Sequence, residues 1–215
     1  MLLIDAWQFI VAHPARFLDA LYTHIALSAA ALGLAITIAV STGVLLADRR
    51  RATLAAITAA NIGRTLPSLA VLALVMPLLG TGFVPSLFAL TLLALPPILI
   101  NTCTALRQVD ADMVDAARGM GMTRAQIMRR VELPVAMPVI FAGIRTASVQ
   151  VVSGAVLAAY IGGGGLGDFI TAGIAMMALP QMLVGAIPAT LLAIGADRLF
   201  GHLQKVLTPA GMRAR

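Results

Sequence analysis

"VDADMVDAARGMGMTRAQIMRRVELP", residues 109–134, is a charged, helix-favouring stretch in a chain that carries little charge elsewhere. It reads as two short helices, about 110–118 and 123–131, with Gly119 and Gly121 between them. Asp112 and Asp115 lie near the start of the first helix, and Arg129 and Arg130 at the end of the second. That order suits the helix dipoles. Thr123 is placed to cap the second helix, and Gln126 three residues on completes a capping-box pattern. Val109, Met113, Ala116 and Ala117 share a face of the first helix; Ile127 and Val131 share one on the second, with Arg124 and Met128 close by. Two short helices joined at glycine form a knob that fits a groove on a partner. A linker lying on lipid headgroups has the same composition.

Around this stretch the sequence is apolar. Of 215 residues 60% are hydrophobic and 11% charged, and the mean hydropathy is +0.97. Soluble domains carry about a quarter charged residues. Residues 20–47, 65–106, 146–167 and 169–196 hold no Asp, Glu, Lys or Arg, and a spanning helix needs roughly 20 mostly apolar residues. The expectation is an all-α integral membrane protein with five spans, at about 22–46, 53–79, 84–106, 136–160 and 182–200. Residues 1–21 form an external N-terminal segment, 22–200 the membrane domain with the loop at 107–134, and 201–215 a basic tail. Pro67 and Pro77 fall inside the second span, which is expected to be bent or broken. "GTGFVP", residues 80–85, reads as a turn, and the glycines after span four as a loop or re-entrant segment.

The net charge of +6 would point to nucleic acid in a soluble protein. Here it sets orientation, because basic residues stay on the cytoplasmic side. With the loop at 107–134 inside, twelve of the fifteen basic residues are cytoplasmic: Arg49–Arg51, the five of the loop, Arg198, Lys205, Arg213 and Arg215. The N-terminus is then outside and the C-terminus inside. Arg64 and Arg145 remain within spans, where charges face a cavity or a partner. Asn61, Arg64, Thr65, Gln150 and Ser153 are candidates for lining a substrate path, although packing hydrogen bonds explain the polar ones as well. Arg64 suits a substrate carboxylate, and equally an interhelical structural role.

Several chemistries are excluded. "IGGGGLGD", residues 161–168, contains G-x-G-x-x-G at Gly162, Gly164 and Gly167. A dinucleotide site needs a soluble strand before it and an acid about 20 residues on; a span precedes this one. It reads instead as a side-chain-free turn where backbones pack closely. His13, His24 and His202 are dispersed and Cys103 is alone, so no metal, cofactor or catalytic site is expected. No aromatic cage is visible, since Trp7, Tyr22 and Tyr160 are scattered.

The loop resembles the EAA loop of bacterial ABC-importer permeases: Glu-Ala-Ala, three residues, Gly, nine residues, Ile-x-Leu-Pro. Here the positions hold Asp115-Ala116-Ala117, Gly121 and Val131-Glu132-Leu133-Pro134, with Asp for Glu and Val for Ile. Residues 95–147 and "TLPSLAVLALVMPLLG" (65–80) look like permeases of osmoprotectant importers, which carry glycine betaine, carnitine, choline or proline betaine. "NIGR" (61–64) and "GGGGLGD" (162–168) also look like methionine-importer permeases, the nearest alternative. The resemblance implies a five-span type I permease core in the bacterial plasma (inner) membrane, paired with a second permease, a cytoplasmic ATPase dimer and an external substrate-binding protein. It implies that the permease is no enzyme, and that ATPase closure moves the knob while the spans alternate between inward-open and outward-open. It points to Asp115, Ala116, Ala117, Gly121, Arg124, Leu133 and Pro134 as coupling residues. A scaffold or channel working without an ATPase is the competing class.

Overall fold

The computed structural model describes residues 2–208, and every regular element among them is helical. Helix α1, Leu2–Ala12, stops before Pro14, which opens α2, Pro14–Leu46. Proline suits a first turn because its missing N–H would have no partner there. At 33 residues α2 is about 50 Å long, more than the roughly 30 Å of hydrocarbon it must cross. It therefore begins well before the span expected at 22–46. The N-terminal segment is tied down: Phe9 and Phe17 pack on Phe169, beside buried Ala6, Ala20 and Val184.

The second span is broken. Helices α3, Arg50–Gly63, and α4, Ser68–Leu79, meet at 96°. Of the two prolines, Pro67 makes the break. It caps α4 in extended conformation and restricts Leu66 before it, whereas Pro77 stays within α4. Helix α5, Phe83–Arg107, is the central post of the molecule, packed against α2, α3, α4 and the fourth span. Its buried face, including Leu90, Ala94 and Ile98, meets Leu27, Ala31 and Ala35 of α2 in the main core.

The loop differs from the reading in one respect. Helix α6, Ala111–Gly119, is separate as expected. The second short helix is not. α7, Arg124–Ile127, runs through a π turn at Met128–Glu132 into α8, Leu133–Gly154, as one continuous helix. The expected helix stopped at about residue 131, and the chain instead continues through Pro134. In a straight α-helix its ring would press on the carbonyl four residues back; the wider π turn lies at that place and lets the helix continue. Helix α8 stops at Gly154, and a 3₁₀ turn, Leu157–Ile161, replaces the end of the expected fourth span. Gly162, Gly164 and Gly165 then take positive φ, α9 (Gly167–Ala175) forms a short helix, and α10, Leu179–Leu207, packs on α8 and α9. The glycine turn meets the 80–82 turn, with Gly82 N donating to the Ile161 carbonyl at 2.7 Å. A side chain on Gly163 would collide with Ser86. Arg213 and Arg215 of the expected basic tail lie outside the described residues.

Candidate coupling knob and central cavity

Helix α6 is fixed at both ends by local bonds. Asp110, a residue the sequence reading passed over, accepts from Asp112 N at 2.9 Å and caps its start. Asp is among the favoured caps, so the signal was there. At its end Gly121 has φ +79°, Gly121 N donates to Arg118 O at 2.9 Å, and Met122 N donates to Ala117 O at 3.2 Å. This is the paired-bond helix stop that a left-handed residue permits. The capping box of α7 forms as read: Thr123 N donates to Gln126 Oε1 at 2.8 Å, and Gln126 N to Thr123 Oγ1 at 3.4 Å.

The two alanines do different work. Ala117 is buried and lets α6 lie close on the π turn, while Ala116 faces out. Asp115 is exposed and pairs with Arg118 at 3.2 Å. Leu133 packs on the main core, and Pro134 sits in the first turn of α8. Met113 and Met120 are exposed on the knob, Met120 by 71%. Arg124 is held within its own chain. Its Nε donates to the two Asp48 oxygens at 3.0 and 2.9 Å, and its NH1 donates to Glu132 Oε2 at 2.5 Å. The Arg124 guanidinium beside Asp48 holds that carboxyl below its usual range, so it is ionised at neutral pH.

Three of the five path candidates line one cavity. Arg64, Gln150 and Ser153 meet Gly63, Leu66, Ser68, Leu93, Gly154 and Leu157 around about 480 Å³ at the break between α3 and α4. Arg64 caps the end of α3, and among the described residues no carboxylate pairs with it. Asn61 and Thr65 do not line this cavity. Asn61 is exposed on α3, and the Thr65 hydroxyl donates to Ile62 O at 2.7 Å. All three fall in the second span, which was expected to be bent or broken, and the turn that begins at Arg64 leads into that break. Arg145 is spent on structure. It clasps Asp197 of α10 with two bonds of 2.7 Å.

A larger cavity, about 560 Å³, lies between α2, α8 and α10, on the Ser148 and Val152 face of α8, away from Gln150 and Ser153. Its lining is mostly apolar, with His24, Ser28 and Ser148 the polar residues. His24 is buried there and its Nε2 bonds the Val152 carbonyl at 3.0 Å. Among the described residues no three His, Cys, Asp or Glu side chains are grouped to hold a metal. The glycine fingerprint follows a 3₁₀ turn rather than a strand, and Asp168 stands at the start of the helix after it.

Residues 31–209 match the family model of the binding-protein-dependent transport system inner membrane component. The chain is 43% identical over 206 residues to the choline transport system permease protein OpuBB of Bacillus subtilis (strain 168), covering 96% of this chain and 95% of that one. It is 41% identical to the glycine betaine/carnitine/choline transport system permease protein OpuCB of the same organism, covering 88% of each chain. It is 39% identical to the osmoprotectant import permease protein OsmW of Salmonella typhimurium, covering 98% of this chain and all (100%) of that one. Among solved structures it resembles the inward-facing MetNI methionine ABC transporter, with a TM-score of 0.78 at 22% identity over 89% of this chain and 96% of that one. An amino acid ABC transporter gives 0.73 at 18%, over 93% and 97%. The chain belongs to the family of binding-protein-dependent transport system inner membrane components and has the all-α, multi-pass fold of a type I ABC-importer permease.

Proposed function

We propose that this chain is the membrane-spanning subunit of an ATP-driven importer for a small osmoprotectant of the glycine betaine, carnitine, choline or proline betaine kind. The likeness over nearly the whole chain to permeases named for those compounds carries the reading. The methionine and amino-acid transporters are too distant in sequence to speak for the substrate. The working transporter pairs this permease with a second one, the same or homologous, with a cytoplasmic ATPase dimer and with an external binding protein. ATP hydrolysis belongs to the ATPases. The N-terminus is outside, which leaves Arg49–Arg51 and the α6–α7 knob in the cytoplasm. The exposed knob face, with Met113, Asp115, Ala116 and Met120, docks in the ATPase. Ala117, Gly121, Leu133 and Pro134 shape the knob and join it to the spans.

The cavity at the α3–α4 break is part of the path. Alternating access closes it on one side and opens it on the other as α3 and α8 move. Its guanidinium favours a substrate that carries a carboxylate, as betaines and carnitine do and choline does not. Arg–carboxylate pairing is bidentate where the geometry allows, which Lys cannot reproduce. The test is uptake in proteoliposomes holding the permease, ATPase and binding protein. Labelled glycine betaine should be carried and methionine not. Arg64→Ala should lower betaine uptake more than choline uptake, with Arg64→Lys intermediate. Equal loss for both substrates removes Arg64 from the path; uptake of methionine alone refutes the substrate class.

A further inference from the structure

The resemblance to the EAA loop puts Arg124 among the coupling residues; its bonds point elsewhere. Nε and NH2 both face the Asp48 carboxylate, NH2 at 2.7 Å from Oδ1, and NH1 reaches Glu132. A guanidinium recognises a partner through its planar fork of N–H groups. Here the edges of that fork are taken by carboxylates of the same chain.

Asp48 lies in the corner between α2 and α3, and that corner is stiff. Thr53 is fully buried and its hydroxyl donates to Leu46 O at 2.7 Å. Arg49 N donates to Leu46 O at 2.8 Å, and Thr53 N to Arg49 O at 2.9 Å. Asp48 therefore moves with the start of α3. The other end of α3 is Arg64, about 20 Å along the helix, at the cavity and at the break that frees α3 from α4. The opposite wall of the cavity, Gln150 and Ser153, is on α8, which is continuous with the knob helix α7. Knob motion thus reaches one wall through unbroken helix. It reaches the other only through packing and the Arg124–Asp48 contact.

We infer that Arg124 is a strut, held by Asp48 and Glu132, that carries displacement of the knob into α3 so that both walls of the cavity move together. The strut is a positioning device, and it rests on the reading that an ATPase drives the knob. It contributes little to holding the fold: the Asp48 and Arg124 side chains are 68% and 36% exposed, and exposed pairs are individually weak.

The experiment uses the assembled transporter in proteoliposomes, with glycine betaine as the probe and Asp48→Asn and Asp48→Glu as variants. Three quantities are measured: ATPase retained on purification, thermal midpoint, and betaine moved per ATP hydrolysed. Asp48→Asn should keep the ATPase and the thermal midpoint and still hydrolyse ATP. Its transport per ATP should fall about five-fold or more, the low end of energetic coupling between sites. Asp48→Glu, which keeps the charge, should recover most of the loss. A ratio for Asp48→Asn within about two-fold of the parent overturns the strut. So does loss of the ATPase in that variant, which would put Asp48 on the docking face. A fall in thermal midpoint that accounts for the transport loss overturns it as well. A parent transporter that retains no ATPase fails at an earlier step, and overturns the function reading together with the strut.

Discussion

Two glycines in the spans give opposite expectations for the same substitution. Gly143 lies in α8 against α5. A Cβ there would stand 2.7 Å from the Pro97 carbonyl oxygen and 2.7 Å from Asn101 Cβ. Neither neighbour can swing aside, because one is helix backbone and the other is the root of a side chain. The Asn101 amide also donates to Pro97 O at 2.7 Å in the same spot. Gly143→Ala must push α5 and α8 apart, and such overpacking costs about 1–3 kcal/mol. Gly195 lies in α10, and a Cβ there meets nothing within 4 Å. Gly195→Ala should gain roughly 0.5–1 kcal/mol from helix propensity alone. That propensity gain is common to both helices, so the two variants should differ by the overpacking cost of about 1–3 kcal/mol, or on the order of 2–12 °C in thermal midpoint for a chain of this size. The assay is thermal melting of both purified variants in one detergent, followed by loss of the monodisperse peak. Equal midpoints, or a stabilised Gly143→Ala, would refute the claim that backbone-close packing of α5 on α8 holds the core.

Gly121 has φ +79° and open space around it, so Gly121→Val is strained through the backbone, by about 1–2 kcal/mol. The variant should insert normally and lose ATPase retention; unchanged retention and coupled hydrolysis would count against the knob. In a background lacking Cys103, a cysteine in the 80–84 turn should label with an impermeant reagent in intact cells and one at Arg50 should not; the reverse pattern overturns the orientation. Arg145→Ala leaves Asp197 of α10 without its partner, and a lone charge in a membrane-spanning helix is costly. The double variant Arg145→Ala with Asp197→Ala should therefore melt above the single one, and a double that melts lower refutes the pairing.

Much of the architecture was legible from where charge is absent. The long uncharged gaps mark the helices that cross, and the capping box at Thr123 and Gln126 marks the start of α7 as it stands. Three local features resisted. Pro67 and Pro77 look alike in sequence, yet only Pro67 breaks the span, because a proline ends a helix only where neighbouring packing cannot absorb its missing bond. The second loop helix was expected to stop at about 131, but a π turn carries it past Pro134 into α8, and such a turn has no composition of its own. Asn61, Arg64 and Thr65 were candidates only as polar or charged positions within the second span, and such a position does not say which side chain turns toward a cavity. The ion pairs were beyond sequence reasoning for a simpler reason: Arg124 and Asp48 are 76 residues apart, and Arg145 and Asp197 are 52 apart. Periodicity relates neighbours on one helix and says nothing of which helices meet.

Those pairs also sharpen what is unusual about Arg64. The sequence placed two arginines within spans, and no spacing rule told them apart. Arg145 is neutralised by a doubly bonded Asp197. Arg64 has no carboxylate partner among the described residues and lines a cavity. A cation at membrane depth is costly unless it faces water or an anion. Packing would be served as well by an apolar side chain, so a structural role explains Arg145 and leaves Arg64 without a reason. On the proposed reading the reason is intermittent: water solvates the charge while the cavity holds no substrate, and a substrate carboxylate takes its place in transit. A fixed acid beside Arg64 would hold the guanidinium permanently and close that exchange. Introducing one, as Gln150→Glu on the opposite wall, should accordingly depress carboxylate-bearing substrates first. Uptake of glycine betaine should fall further than that of choline, and the reverse order would place the substrate somewhere other than this cavity.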